Sequence, residues 1–532
     1  MLAVSVAFAT AAPGSFRGHT VAVEEVKESL QQTMQAMLQG QGSMSKQLED
    51  IEKSIWQTYQ SLPKNEAGHI GSRAVRYLVH NYFAKEHGWL IKGLEPHGHQ
   101  DNMSEVHEVS ILQDKAPLLV ESLLEARRSD RGLSLTDAVA MIATLERLIV
   151  DEASTLLRVA YTLNSFSPSQ ELQESELHEV LTSYLVLFEM GQKANLNSKD
   201  VHRALKARAA SVSHNWPFLV EFEYDALHNY LFASKNKRNP FVSESFAFED
   251  ALRIVETLTG GYGKWQNTEC QQMKSELMDM DEEGKGIIPL HKFYSQPENA
   301  DYHFTESQEY LDKVGALQQT ARGSAYVRIA NYMTGPSNCI ASSSYYSVCC
   351  LNECEVLMNE LESHVLAPSA SPQRLLGLAR NLSSATVDAP RQLPNVMEEK
   401  LHAIAARHDG EVPLHGRLFA QWMHHAFPHE CPYPHIAEDK AVLVPDHWQN
   451  GKATVSKIER AELAEAHTPV LIVENVQNLS WSEEELVVVT EQPKLVNGNL
   501  TLEECSCELC EAGARLCDVV ERFGQAVNLK GW

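Results

Sequence analysis

Between Val23 and Thr58 an apolar residue recurs near every seventh position, at Val23, Leu30, Met37, Met44 and Ile51, with Val26, Met34, Leu48 and Ile55 filling the intervals. That spacing predicts an amphipathic helix, or two, interrupted at Gly40 and Gly42. Two readings follow: a coiled-coil segment that joins chains into oligomers, or a helix packed on the protein's own core. The two glycines favour the second. Pro63 closes the segment, and Ser72–Trp89 predicts a helix with an aromatic face (Tyr77, Tyr82, Phe83). From Ser104 to about Phe232 the period stays helical, most clearly over Leu118–Arg127, Ala138–Thr162 and Glu171–Met190. Shorter helices are expected at Phe248–Leu258 and Arg374–Arg380, each followed by a linker, while Tyr326–Met333 fits strand or helix. Beyond Pro434 the pattern shortens. Val470–Val473 and Leu486–Thr490 read as strands bounded by Asn, Pro and Gly, within a small mixed tail.

One string occurs twice behind a helical pattern: Gly286-Ile287-Ile288-Pro289-Leu290-His291 and Gly410-Glu411-Val412-Pro413-Leu414-His415. Upstream, Met273, Leu277 and Met280 superpose on Met397, Leu401 and Ile404, each triplet on one helical face. The unit is helix, short loop with a glycine, a brief extended pair and a second helix. Gly132-Leu133-Ser134-Leu135, before a helix expected near Thr136, is a weaker third copy. This plan resembles the EF-hand superfamily, and the phrases around Cys339–Cys354 and Leu418–Pro434 resemble large EF-hand-like proteins of dinoflagellate-type algae, a likeness that brings no activity with it. The expected fold is mainly α: a multi-helix protein with two or three EF-hand-like units and a small mixed α/β tail. The segments are a signal peptide or disordered start (1–12), the amphipathic helix (20–62), a helical domain (63–245), the first unit (246–330), a Cys-containing segment with the second unit (331–440), and the tail (441–532).

A calcium loop needs oxygens at positions 1, 3, 5 and 12 and a glycine at 6. With Gly286 at position 6, Asp281 and Glu283 stand at 1 and 3, but Lys285 and Lys292 stand at 5 and 12. With Gly284 at 6, Asp279, Asp281 and Glu283 fill 1, 3 and 5, yet position 12 is Leu290. The second loop offers Ala405, Arg407, Asp409 and Gly416. Asp279, Asp281 and Glu283 are therefore a weak, incomplete calcium candidate, and the second loop lacks the chemistry. Ile288 and Val412, at position 8, are expected to form the short β contact between paired loops, cut short by the following prolines.

The other candidate chemistry is zinc. His424, His425, His429, Cys431 and His435 cluster at a helix end, with His425 and His429 four apart; Pro428 between them and the lack of His-Glu-x-x-His weaken a site at His425, His429, Cys431 and His435. Cys505, Cys507, Cys510 and Cys517 have metal-like spacing, with disulfides or free thiols as alternatives. Adjacent Cys349 and Cys350 seldom bridge each other, so bonds to Cys339 and Cys354 are expected. Gly-x-Ser-x-Gly, Walker and Gly-x-Gly-x-x-Gly strings do not occur, and Gly260-Gly261-Tyr262-Gly263-Lys264 reads as a tight interhelical turn, since Trp265 stands where a phosphate loop needs Ser or Thr. With 45 basic against 71 acidic residues the formal charge is −26, which repels nucleic acid and anionic membrane. No stretch approaches the ~18 apolar residues of a membrane span. Met1–Ala12 is uncharged and carries Ala9-x-Ala11, a signal-peptide pattern without its basic start, and sequons begin at Asn102, Asn381, Asn478 and Asn499, so both secreted and cytoplasmic locations fit. The leading expectation is a non-catalytic scaffold that binds protein, with a calcium sensor and a zinc-dependent enzyme as alternatives.

Overall fold

The computed structural model describes residues 42–94, 111, 132–191, 198–212, 216–234, 245–297, 300, 302–319, 324–340, 342–343, 345–435, 452–465 and 481–485. These belong to a unit spanning 1–490; the unit 491–532, with Cys505, Cys507, Cys510 and Cys517, lies outside the described residues, as do 23–41, Leu118–Arg127 and both strands expected in the tail. The protein is mainly α with a few small sheets. No described helix is long and apolar enough to cross a membrane.

One arrangement recurs along the chain: an apolar residue in extended conformation, two positions ahead of a helix (five at Val412), pairs antiparallel with its counterpart in another loop. Helix α1 (Gly42–Gln60) leads to Ile70 and α2 (Ser72–His87); strand β1 (Trp89–Ile91) follows; and Leu133 precedes α3 (Leu135–Leu163), with Ile70 bridged to Leu133. The 29-residue α3 then runs into β2 (Leu172–Gln173) and α4 (Glu174–Met190). Helices α5 (Lys199–Val212) and α6 (Trp216–Ser234) lead to β3 (Ser245–Phe246) and α7 (Phe248–Asp279), and Leu172 pairs with Phe246. From α7 the chain enters β4 (Ile287–Pro289) and α8 (Leu290–Phe293); then α9 (Gln308–Lys313), β5 (Leu317–Gln319), β6 (Ala325–Arg328) and α10 (Ile329–Met333), where Ile288 pairs with Val327. After β7 (Tyr346–Val348), which pairs with β1, the last set is α11 (Glu353–Val365), β8 (Ser369–Ala370), α12 (Pro372–Asn381), α13 (Asn395–Ala406), β9 (Val412–Pro413) and α14 (Arg417–Ala426), with Ala370 opposite Val412. A short α15 (Lys457–Glu465) closes the series.

All eight paired residues, Ile70, Leu133, Leu172, Phe246, Ile288, Val327, Ala370 and Val412, are buried. Full burial of each large apolar side chain contributes about 1.5–3 kcal/mol, so these contacts anchor the loops to the cores. The first two pairs share one hydrophobic core, and the third and fourth pairs each have their own.

Several expectations change here. Ile288 and Val412 do not pair with each other; each joins a nearer loop, through Val327 and Ala370. The stretch 326–333 is strand and then helix, so both periods were present. Trp89 opens β1 rather than ending a helix, because Gly88 turns the chain in the left-handed region. Phe248–Leu258 continues without a linker to Asp279, and the glycines expected in a turn lie inside α7. A Cβ on Gly263 would lie 2.1 Å from the His87 carbonyl oxygen, so this glycine allows the end of α2 to cross α7 in contact. Ile51 and Ile55 of α1 are buried in the first core, as the packed-helix reading requires of them.

Candidate functional site

The loops come first, since any metal chemistry would sit there. Counting each paired residue as position 8, position 12 falls four residues later, at Ala74, Asp137, Glu176, Asp250, Lys292, Asn331, Arg374 and Gly416. Three of these are carboxylates, and all three accept a hydrogen bond from the backbone N–H at the start of their own helix. Ser134 N donates to Asp137 Oδ2 at 2.9 Å, Gln173 N to Glu176 Oε2 at 2.8 Å, and Ala247 N to Asp250 Oδ2 at 3.0 Å. This is half or all of a capping box, satisfying helix-terminal donors that would otherwise be orphaned. Lys292 forms an ion pair with Glu282 across its loop. Asn331 holds both the N–H and the carbonyl of Tyr433, at 2.7 and 2.8 Å. Arg374 donates to the His364 carbonyl at 2.6 Å.

Asp281, Glu283 and Asp279 part company. Asp279 and Glu283 are exposed, and Glu283 pairs with Lys285 at 2.5 Å. Asp281 is buried; its Oδ2 accepts from Gly286 N at 2.6 Å and from His429 Nε2 at 2.9 Å. Burial pushes this carboxyl up, but the hydrogen bonds from His429 and the Gly286 and Lys285 amides outweigh it, and the net shift is downward. Gly286 has φ +72°, and a Cβ there would lie 2.4 Å from the Pro428 carbonyl oxygen, so the segment after α14 sits directly on this loop. An imidazole from the fourth pair thus stands against the loop carboxylate of the third.

The histidine and cysteine cluster disperses as well, which corrects its grouping as one ligand set. His425 stacks on Trp481, His429 binds Asp281, and His435 packs over Gly315. Cys431 is bonded to Cys354, and a sulfur in a disulfide offers no thiolate to a metal. His424 donates from Nδ1 to the Cys431 carbonyl at 2.8 Å, and burial lowers its pKa to about 3. Among the described residues, no three His, Cys, Asp or Glu side chains gather as a metal site. Cys349 joins Cys339 as expected, but Cys350 joins Cys270 and not Cys354. Sequence spacing could not place Cys270 of α7 beside Cys350, since packing of distant segments decides it.

Three more histidine–carboxylate contacts bind the helix pairs together, none of them singled out by the sequence. Glu362 of α11, with no exposed surface, accepts from Thr58 Oγ1 at 2.6 Å and His415 Nε2 at 2.8 Å, while Tyr77 packs edge-on against His415 at 4.8 Å between ring centroids. The fourth pair is thereby docked on α1 and α2. Glu146 of α3 accepts from Tyr82 at 2.7 Å and lies 3.1 Å from His87, whose ring stacks on Trp89. His178 of α4 donates to the buried Glu223 of α6 at 2.6 Å, a bond that holds the imidazole above its ordinary pKa. The one legible signal was His415 in the repeated string. No family model matches the chain, and neither a curated protein nor a solved structure matches it.

Proposed function

We propose that the chain is a non-catalytic scaffold built on EF-hand-like units whose loops meet in pairs, in which side-chain contacts stand where metal ions would, and which acts by binding another protein. The observation that carries this reading is the engagement of position 12: its three carboxylates cap helices, and the one buried position-1 carboxylate among the candidates is held by His429. A calcium ion at Asp281 would compete for the carboxylate with the imidazole and the Gly286 amide. It would also face Lys292 in place of the bidentate glutamate that such loops use. The paired extended residues, by contrast, need no metal to be buried, so the lobes keep their helix faces and the grooves between them.

Thermal unfolding with calcium and with chelator tests the reading. A ligand that binds only the folded state raises its stability by RT ln(1 + [L]/Kd), so even a weak site would register at millimolar calcium. The midpoint is expected to stay within about 1 °C across both conditions. A calcium-dependent rise that Asp281→Ala abolishes would replace the scaffold with a calcium sensor. Stoichiometric zinc in the purified chain, lost in Cys507→Ser, would instead assign a metal to the tail.

A further inference from the structure

The fourth pair already holds a peptide of its own chain. Residues Trp481–Glu485, with the sequence Trp-Ser-Glu-Glu-Glu, lie across α13, the loop before α14, and α14 itself. Two kinds of contact hold them. The first reads backbone: the buried Gln421 amide donates to the Ser482 carbonyl at 3.0 Å and accepts from Ser482 N at 2.8 Å, and Arg417 donates to the Glu484 carbonyl at 2.9 Å. The second reads side chains. Arg407 and Lys400 pair with Glu483, and Arg407 also donates to its carbonyl at 2.8 Å. The Glu485 carboxylate receives Leu418 N at 3.1 Å, in the first turn of α14, and lies 3.1 Å from His408 Nε2. Trp481 packs on the core of the fourth pair, stacked against His425, with the Lys400 ammonium 4.6 Å from its ring centroid.

In a chain of net charge −26, Lys400, Arg407, His408 and Arg417 form a local basic strip, and it is matched to acidic residues. A side-chain amide that pairs with both the N–H and the carbonyl of one residue recognises backbone whatever the side chain; the aromatic site and the cations then select sequence. Gly416 makes room for it: a Cβ there would lie 3.3 Å from Glu485 Oε1, so the position-12 glycine lets a carboxylate from elsewhere reach the helix N-terminus.

We propose that this groove is a recognition site for an extended acidic peptide with a leading aromatic residue, on a partner protein, and that 481–485 is its internal occupant. The inference rests on the scaffold reading and names its partner class. A tethered occupant acts at an effective concentration in the millimolar range, so a partner gains access only by displacing it.

The test is binding of a labelled peptide with the sequence of residues 478–488 to the full chain and to a Trp481→Ala/Glu485→Ala variant that retains its unfolding midpoint within a few degrees. The weakened variant is expected to bind about tenfold tighter, or better, than the unaltered chain. Adding Arg407→Ala, or replacing the peptide's three glutamates by glutamine, should remove that gain. No binding by the folded variant at ~1 mM peptide overturns the proposal, and so does equal binding to both chains. If the double variant does not fold, Glu483→Gln serves in its place, with an expected gain of about threefold; an unchanged affinity there counts against the groove equally. Failure here leaves the metal-independent scaffold standing with another surface, whereas calcium-dependent stability would overturn that scaffold and not this groove.

Discussion

Glu355, in the first turn of α11, carries a carboxyl whose Oε2 is fully buried without a hydrogen-bond partner, although the residue as a whole is half-buried. Burial pushes its pKa up to about 8, against a contact from Asn352 Nδ2 at 3.4 Å that favours the charged form. An acid with a raised folded pKa binds more protons folded than unfolded between the two values. Its contribution is therefore fully present below about 4.5 and is lost as pH rises toward 8. Glu355→Gln keeps an acceptor for Asn352 and never ionises. It should raise the unfolding midpoint at pH 8.5, by the equivalent of about 1–3 kcal/mol after discounting for partial exposure, and leave it unchanged at pH 4.5. Thermal scans at the two pH values decide the matter, and equal shifts at both would refute the burial argument. Single residues of this kind are where the sequence was least legible. Asp281 was found as a loop acid, but nothing near it in sequence pointed to His429, because that contact joins positions 148 apart. Asn331 and Gln421 are likewise ordinary polar residues until the backbones they hold are brought beside them.

Elements were far more legible than contacts, because helical period is a local signal. The helices expected over 138–162 and 374–380 lie where apolar spacing put them, the one expected over 171–190 starts only at Glu174 because Leu172–Gln173 form β2, and Gly132-Leu133-Ser134-Leu135 does precede a helix. Pairing failed for a physical reason. The two Pro-Leu-His strings invited a match with each other, yet a loop pairs with the neighbour that its helices deliver, and neither Val327 nor Ala370 sits in such a string. The glycines of α7 misled in a related way, since a glycine that breaks a helix and one that lets another backbone approach look the same in sequence. The structure separates them. Gly261→Ala meets Phe222 at 3.7 Å, an ordinary contact, and should stabilise by up to about 1 kcal/mol through helix propensity. Gly263→Ala would drive a methyl into the His87 carbonyl and should cost about 3 kcal/mol or more, since backbone rather than a flexible side chain must move. Chemical denaturation of the two variants checks the contrast, and similar effects would mean that α2 does not cross α7 as described.

At the scale of the molecule there are three cores, and each long-range disulfide fastens distant segments within one of them, that of the third pair and that of the fourth. Cys270–Cys350 ties α7 to the segment before α11, Cys354–Cys431 ties α11 to the segment after α14, and Cys339–Cys349 closes a short loop between the third and fourth pairs. Beside them, the His429–Asp281 pair and the Asn331–Tyr433 bonds dock the same segment after α14 on the third pair. Bonds of this kind persist in oxidising compartments. The two long-range bonds span 80 and 77 residues, and chain entropy assigns each about 4.5 kcal/mol, against about 2.7 for the bond spanning 10. Reduction should therefore lower the urea midpoint markedly. The Cys354→Ala/Cys431→Ala variant should reproduce much of that fall, while Cys339→Ala/Cys349→Ala should cost less. Where the loss appears matters as much as its size. Trp422, buried in the core of the fourth pair and bonded to the Met397 carbonyl, reports on that core. Loss of Cys354–Cys431 releases α11 from the segment that carries His429, so hydrogen exchange in 395–426 should rise before exchange in α3. Uniform exchange across both regions would mean that the cores unfold as one unit, and that the bond stabilises the whole rather than the fourth pair first.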